Sequence, residues 1–217
     1  MAKKLHTTSE RVAKALLDIG AVAIAPNNPF TWASGIRAPV YCDNRVALSY
    51  PSERHLITDA FITKLDGLTP EAIVGVATGG IPYAALLADR LSLPMAYVRG
   101  KPKGYGRRNQ IEGHLVAGSR VVVVEDLVST GMSSIRAVDV VREVTGEKPV
   151  AVLAIFMYNL RGVAERFVAH GTTLHSLTDF DTLMQVAFEV RRVRATDLDI
   201  LKAWQQDPHA WSERHGN

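Results

Sequence analysis

Along the chain, short apolar runs alternate with stretches whose apolar residues recur at helical spacing. AIVGVA, MAYVR, VVVVED and VAVLAIFMY have strand length, and IPYAALLADRLS, SSIRAVDVVREV and LRGVAERFVAH alternate with them as amphipathic helices. Strands alternating with helices of this length predict an α/β fold, a parallel sheet flanked by helices on both faces. The four consecutive valines at 121–124 fit a strand covered on both sides.

The region before this alternation is different. Thr8 or Ser9 is expected to cap a first helix in which Val12, Ala15, Leu16 and Ile19 share a face and which Gly20 ends. A second helix is expected from a Ser52 cap through Leu56, Ile57, Ala60, Phe61 and Leu65. Between them, NNPFTWASGIRAPVYCDNR mixes prolines and glycines with aromatic and charged residues, which predicts short strands or irregular backbone of the kind that carries function. The tail segments TDFDTLMQVAFEVRR and TDLDILKAWQQ read as helices with Thr-Asp starts. No repeat, linker or low-complexity tract interrupts the chain. A single domain over 1–217 is therefore expected, with 1–48 forming mainly a helix and a small N-terminal appendage within it.

Composition narrows the classes. The net charge of +3 permits an anionic ligand and is too small to argue for nucleic acid. Cys42 is the sole cysteine, which excludes an intrachain disulfide and a cysteine zinc cluster and makes a reducing compartment the expectation. Lys3 and Lys4 look like a signal n-region, but the residues after them are amphipathic rather than apolar. No stretch reaches the roughly 18 apolar residues of a membrane span, so a soluble cytoplasmic protein is expected. The seven histidines lack metal-ligand spacing, and there is no GxSxG element.

The chemistry concentrates in VVVVEDLVSTGMSS. In an open parallel sheet, ligands bind beyond the carboxyl ends of strands. Glu125 and Asp126 stand at such an end, followed by Ser129, Thr130, Gly131, Ser133 and Ser134 in the turn into a helix. Amides at a helix start favour a phosphate, Gly131 allows close approach, and the hydroxyls add donors. Two carboxylates favour hydroxyls or a hydrated Mg²⁺ instead. A phosphorylated ribose satisfies both demands. The plainer alternative, hydroxyls that only cap a helix, gives the two acids no task. The segment is neither a Walker loop nor a dinucleotide fingerprint.

This stretch resembles the phosphoribosyl-diphosphate signature of the type I phosphoribosyltransferases, and three further segments narrow the resemblance to the orotate phosphoribosyltransferases. They are FTWASGIRAPVYCDNR, VATGGIPYAA and RGKPKGYGRRNQIEG, in matching order over nearly the whole chain. The resemblance implies transfer of a phosphoribosyl group from phosphoribosyl diphosphate to orotate in pyrimidine synthesis, with Mg²⁺ as cofactor. It implies a homodimer in which a lid loop reaches the neighbouring site, with neither nucleic acid nor membrane as partner.

By the same resemblance, residues 125–133 (Glu125, Asp126, Leu127, Val128, Ser129, Thr130, Gly131, Met132, Ser133) hold phosphoribosyl diphosphate together with Thr78, Gly79 and Gly80 of the diphosphate turn. The basic loop at 99–113 is the implied lid, contributing Arg99, Lys103 and Tyr105 to that substrate; a long unstructured loop is uncommon unless functional, although a basic run is also an ordinary solvated surface. Arg99, Lys103, Glu125 and Asp126 are the implied catalytic set. Tyr105 stands where the family usually has histidine, Gly100 where many relatives have lysine, and Arg107 or Arg108 are available to compensate. The FTWASGIRAPVYCDNR segment is the implied hood over the base, with Tyr41, Cys42, Arg45 and Ser129 as orotate contacts. Orotate carries a ring carboxylate, so Arg45, and after it Arg37, is expected to read it; a turn in which Asp43 merely pairs with Arg45 remains the alternative. Where some relatives carry an orotate-binding arginine, this chain has Tyr158 and Asn159. A transferase for another base, a non-catalytic phosphoribosyl-diphosphate sensor and a nucleic-acid-binding protein are the other readings. The hood segment, the short N-terminal region and the weak net charge stand against them in turn.

Overall fold

The computed structural model describes residues 7–32, 34–100 and 110–215. The N-terminal part comprises α1 (Thr8–Asp18), β1 (Val22–Ile24), β2 (Phe30–Thr31), β3 (Arg37–Ala38), β4 (Val40–Cys42), a 3₁₀ helix (Asn44–Ser49) and α2 (Pro51–Lys64). The alternating part follows as β5 (Ala72–Val76), α3 (Gly80–Leu91), β6 (Met95–Val98), β7 (Ile111–Glu112), β8 (Val121–Val128), α4 (Met132–Thr145), β9 (Ala151–Met157), α5 (Val163–Ala169) and β10 (Leu174–Asp179). Three helices close the chain: α6 (Phe180–Glu189), α7 (Ala195–Gln206) and α8 (Pro208–Arg214).

The main sheet has the order β10-β9-β8-β5-β6-β7 and is parallel except for β7. Side chains of β8 alternate between two cores. Val122 and Val124 face the core built with α1, α2, α3, α6 and α7, while Val121 and Val123 face the core shared with α4 and α5. This accounts for four consecutive valines, since each face of the strand meets its own layer of helix. The order also creates a switch point. From β5 the chain passes through α3 to β6 on one side, and from β8 through α4 to β9 on the other, so a crevice opens between the carboxyl ends of β5 and β8.

The hood consists of two antiparallel pairs, β1 with β4 and β2 with β3. It shares its core with the sheet's first face, because Ala38, Val40, Cys42 and Ala47 are buried in the same cluster as Ile73 and Leu153. Trp32 locks it laterally, lying 5.2 Å from the Tyr158 ring and 5.5 Å from that of Trp204. The C-terminal helices add a polar tie, with the Arg37 backbone N–H donating to Ser212 Oγ at 2.9 Å.

Several expectations about element ends need correction. The cap of α1 is Thr7, one residue earlier than expected, because only that register puts Glu10 where it completes a reciprocal capping box. Helix α2 begins at Pro51, whose fixed φ suits the first helical position, and Ser52 lies inside the first turn. Asp179 caps α6 as its segment predicts, whereas α7 starts at Ala195 with Asp197 accepting from the Arg194 N–H at 2.9 Å. Strands β7 and β10 and helix α8 escaped the sequence pattern. LHSLTD is half polar because β10 is an edge strand, and β7 is only two residues long.

Candidate active site

A cavity of about 450 Å³ occupies the switch-point crevice, lined by the hood on one side and by the turns after β5 and β8 on the other. Tyr41, Cys42, Arg45, Thr78, Gly79, Glu125, Asp126, Leu127, Ser129 and Ser133 all line it, so the sequence motifs converge on one space. Trp32, Asp43, Ala77 and Tyr158 complete the wall.

The two acids do not end the strand, as the sequence suggested, but lie within it. Pairing of β8 with β5 stops at Gly75 and Val124, while pairing with β9 continues to Val128 and Met157. Glu125 and Asp126 therefore sit on a strand that has lost one neighbour and kept the other, held rigidly yet open toward the crevice. Glu125 is almost fully buried. Its Oε1 accepts from the Asp126 N–H, and its Oε2 accepts from the hydroxyls of Ser133 and Ser134 at 3.0 and 3.1 Å. Those hydroxyls thus brace a carboxylate, where the sequence expected them to serve an anion as donors.

The anion cradle rests on backbone. Gly131 adopts φ 77° and starts α4 with no side-chain cap, so the first amides of the helix keep their hydrogen-bonding capacity. A Cβ at Gly131 would come within 2.9 Å of Phe167, a second reason for glycine there. Helix-capping hydroxyls are therefore not the explanation of the Ser/Thr cluster. Opposite, the peptide between Ala77 and Thr78 is cis, and Gly79 and Gly80 follow as the chain enters α3. A Cβ on Gly79 would stand 2.1 Å from Asp126 Oδ2, and one on Gly80 2.3 Å from the Val124 carbonyl oxygen. The glycines let the two turns approach each other until the Asp126 carboxylate rests directly on the β5 turn.

Burial raises the affinity of both acids for protons. The Glu125 carboxyl is pushed from its ordinary 4.5 to about 8, first by burial and then by the charge of Asp126 and its hydrogen bond, with the serine hydroxyls opposing. Asp126 is raised too, again chiefly by burial. Cys42 is held as a neutral thiol by burial and by Asp126 and Asp43, so it is a hydrogen-bond donor rather than a nucleophile.

The chain matches the family model for the phosphoribosyl transferase domain over residues 53–168. Orotate phosphoribosyltransferase of Bacillus pumilus is 47% identical over 209 residues, covering 94% of this chain and 97% of the relative. That of Enterococcus faecalis is 44% identical over 207 residues, covering 94% and 98%. Among solved structures, orotate phosphoribosyltransferase from Aeropyrum pernix superposes with a TM-score of 0.72 at 34% identity, covering 84% of this chain and 99% of that one. The chain belongs to the orotate phosphoribosyltransferase family. The structure of Leishmania donovani UMP synthase, with a TM-score of 0.77 at 24% identity over 91% of this chain and 42% of that one, shares the fold.

Gly80 and Val128 are buried and follow the wall residues Gly79 and Leu127 in the chain, and Thr130 and Gly131 form the turn itself. Met132 is half exposed, with its sulfur 2.8 Å from Arg166 Nη1. Arg99 stands at the root of the basic loop, where its N–H donates to the Gln110 carbonyl at 2.8 Å and its guanidinium lies 3.4 Å from Glu112. Lys103, Tyr105, Arg107 and Arg108 lie outside the described residues, as does Ala33 of the hood. Arg45 lines the cavity and makes a two-point pair with Asp43, at 2.7 and 2.8 Å, so the turn pairing is present. Arg37 lies away from the cavity, beside Arg214 and His215. Trp32 and Tyr158 carried a sequence signal in their apolar, aromatic surroundings, but only the fold shows that they share a wall.

The proton affinity of Glu125 has a measurable consequence. The folded state keeps a proton that the unfolded chain releases above about pH 4.5, so the contribution to stability is full below that value and is lost as pH rises toward about 8. Denaturant titrations should show wild type losing about 2–3 kcal/mol more than Glu125→Gln between about pH 5 and about pH 7. Parallel pH profiles for the two proteins would show that the carboxyl is ionised throughout.

Proposed function

We propose that this chain transfers the 5-phosphoribosyl group from phosphoribosyl diphosphate to a ring nitrogen of orotate, releasing diphosphate and forming orotidine 5-phosphate for pyrimidine synthesis. The observation that carries the reading is the juxtaposition, in one cavity, of a carboxylate wall, an amide-rich helix start and an aromatic hood, in a chain of this family. The helix start at 129–133 takes the 5-phosphate and so positions the sugar from a point remote from the reacting bond. Asp126, and Glu125 through what its braced carboxylate leaves free, accept from the ribose hydroxyls. Negative charge on Asp126 also favours the cation that develops at the anomeric carbon as the bond to diphosphate breaks. The turn at 78–80 faces the leaving diphosphate. The electron pair of that bond leaves with diphosphate, the ring nitrogen of orotate makes the new bond, and the proton that nitrogen carried passes to the departing diphosphate or to solvent.

Mg²⁺ fits the donor set, since Asp126 offers a hard oxygen ligand at the cavity wall. Among the described residues no group of three or more His, Cys, Asp or Glu gathers to hold a metal ion, which suits an ion held mainly by substrate oxygens and water. When bound, the ion would neutralise charge on the diphosphate. Arg99 and Lys103 of the basic loop would add cationic stabilisation, and a homodimer in which that loop serves the neighbouring site is part of the proposal. Among the described residues no helix is long and apolar enough to cross a membrane, and a cytoplasmic setting is proposed.

The direct test is Mg²⁺-dependent loss of orotate absorbance in the presence of phosphoribosyl diphosphate; no loss with orotate, or loss with another base instead, would sink the reading. The base side has its own test. Arg45 is fixed by Asp43 at the cavity edge, and a carboxylate there would use its remaining N–H donors. Arg45→Ala should raise KM for orotate about tenfold, the effect of one charge-assisted bond, with little change in KM for phosphoribosyl diphosphate. An unchanged orotate KM would leave Arg45 as a turn residue only.

A further inference from the structure

Asn44 is the most deeply placed polar side chain between the hood and the carboxylate strand. It is fully buried, it opens the 3₁₀ helix Asn44–Ser49, and nothing in its sequence neighbourhood marks it out from the Asp43 and Arg45 that flank it. Its Nδ2 donates to the backbone carbonyl of Asp126 at 2.6 Å. Its Oδ1 accepts from the Cys42 thiol at 3.3 Å, and its own backbone carbonyl accepts from the Tyr83 hydroxyl of α3 at 2.8 Å. The orientation of the amide follows from chemistry. A flipped amide would set oxygen against the Asp126 carbonyl oxygen, and the neutral thiol has a proton to give only to an acceptor.

These bonds fall where β8 is unsupported. Beyond Val124 the strand has no strand partner on its β5 side among the described residues, so Asn44 supplies a hydrogen bond to Asp126 at the point where the ladder has ended. The carboxylate of the same Asp126 is confined by the close approach of Gly79. One residue is thus held through its backbone by the hood and through its side chain by the β5 turn, and Tyr83 closes the triangle from the helix that follows that turn.

We propose that Asn44 is a positioning residue for phosphoribosyl transfer, fixing Asp126 against the ribose side of the cavity and tying that position to the hood over the base. The proposal rests on the transferase reading above. A misplacement of a reacting group by about an ångström can cost about 10²-fold in rate even when the mutated residue touches no substrate. Asn44 acts in this way through Asp126.

The experiment is steady-state kinetics on Asn44→Ala, Asn44→Ser, Tyr83→Phe and the Asn44→Ala/Tyr83→Phe double variant, with melting temperatures measured alongside. Wild-type activity is established first, so an inactive wild type would fail the transferase reading and not this one. Asn44→Ala should lower kcat about 30- to 100-fold while changing either KM less than about threefold. Asn44→Ser, which keeps a donor, should recover to within about tenfold of wild type. Tyr83→Phe should lower kcat at least about threefold, and should add little in the Asn44→Ala background because both act on one geometry. Kinetics unchanged in Asn44→Ala would overturn the proposal. So would a serine variant as slow as the alanine one, or losses that simply add and track the melting temperatures, which is the mark of a packing role. Should Asn44→Ala fail to fold, the serine and phenylalanine variants decide: wild-type kcat in Tyr83→Phe rejects the proposal.

Discussion

Asp126→Asn is expected to lower kcat/KM about 10²- to 10³-fold, the range seen when one preorganised electrostatic group is removed from a site of developing charge. The substitution keeps the shape that fits against Gly79 and the backbone bond from Asn44, but it replaces an acceptor-only carboxylate with a group that is half donor. Folding should not suffer. Both buried carboxyls hold their protons more tightly than usual, chiefly through burial, and the charge of Asp126 adds to the effect on Glu125. Removing one charge should leave the melting temperature unchanged or raise it by a few degrees, at about 2–4 °C per kcal/mol for a chain of this length. Steady-state kinetics with both substrates varied, set beside a thermal melt, separates the two effects. A variant within threefold of wild-type kcat/KM would place the working carboxylate elsewhere.

The parts of the molecule legible in the sequence were those encoded by local pattern. Four consecutive valines on β8 report two apolar layers because each face of a central strand meets its own helices. The sequence of two acids and then a glycine turn reports a binding crevice because chain direction alone puts them at the carboxyl end of a parallel strand. What stayed hidden depends on residues far apart. Asn44 and Asp126 are separated by 82 positions, and no local rule makes an asparagine in a turn the partner of a strand carbonyl. Ser133 and Ser134 read as anion donors because hydroxyls after a strand usually face a ligand. The fold instead turns them onto Glu125, eight and nine residues back along the chain. For Arg45 the pair with Asp43, two residues away, is what local sequence makes legible, and a guanidinium so held still has donors to present to the cavity.

The adjacent glycines after β5 should separate stability from turnover. At Gly80 an added Cβ meets the Val124 carbonyl oxygen at 2.3 Å and the Glu125 Cα at 3.3 Å, both backbone atoms of a strand paired along its other edge to β9. Neither can yield without shifting β8, so Gly80→Ala should cost about 3 kcal/mol or more and lower the melting temperature by about 6–12 °C. At Gly79 the atoms nearest the added Cβ all belong to the carboxylate of Asp126, the end of a side chain that can rotate away. Gly79→Ala should therefore melt within a few degrees of wild type and lose about 10- to 100-fold in kcat/KM, because the displaced group is the one proposed to hold the ribose. Thermal denaturation and kinetics on the two variants give the comparison. Were Gly79→Ala to unfold while Gly80→Ala stayed stable, the start of α3 would be the yielding element, and the close approach of the two turns would not be what holds Asp126 in place.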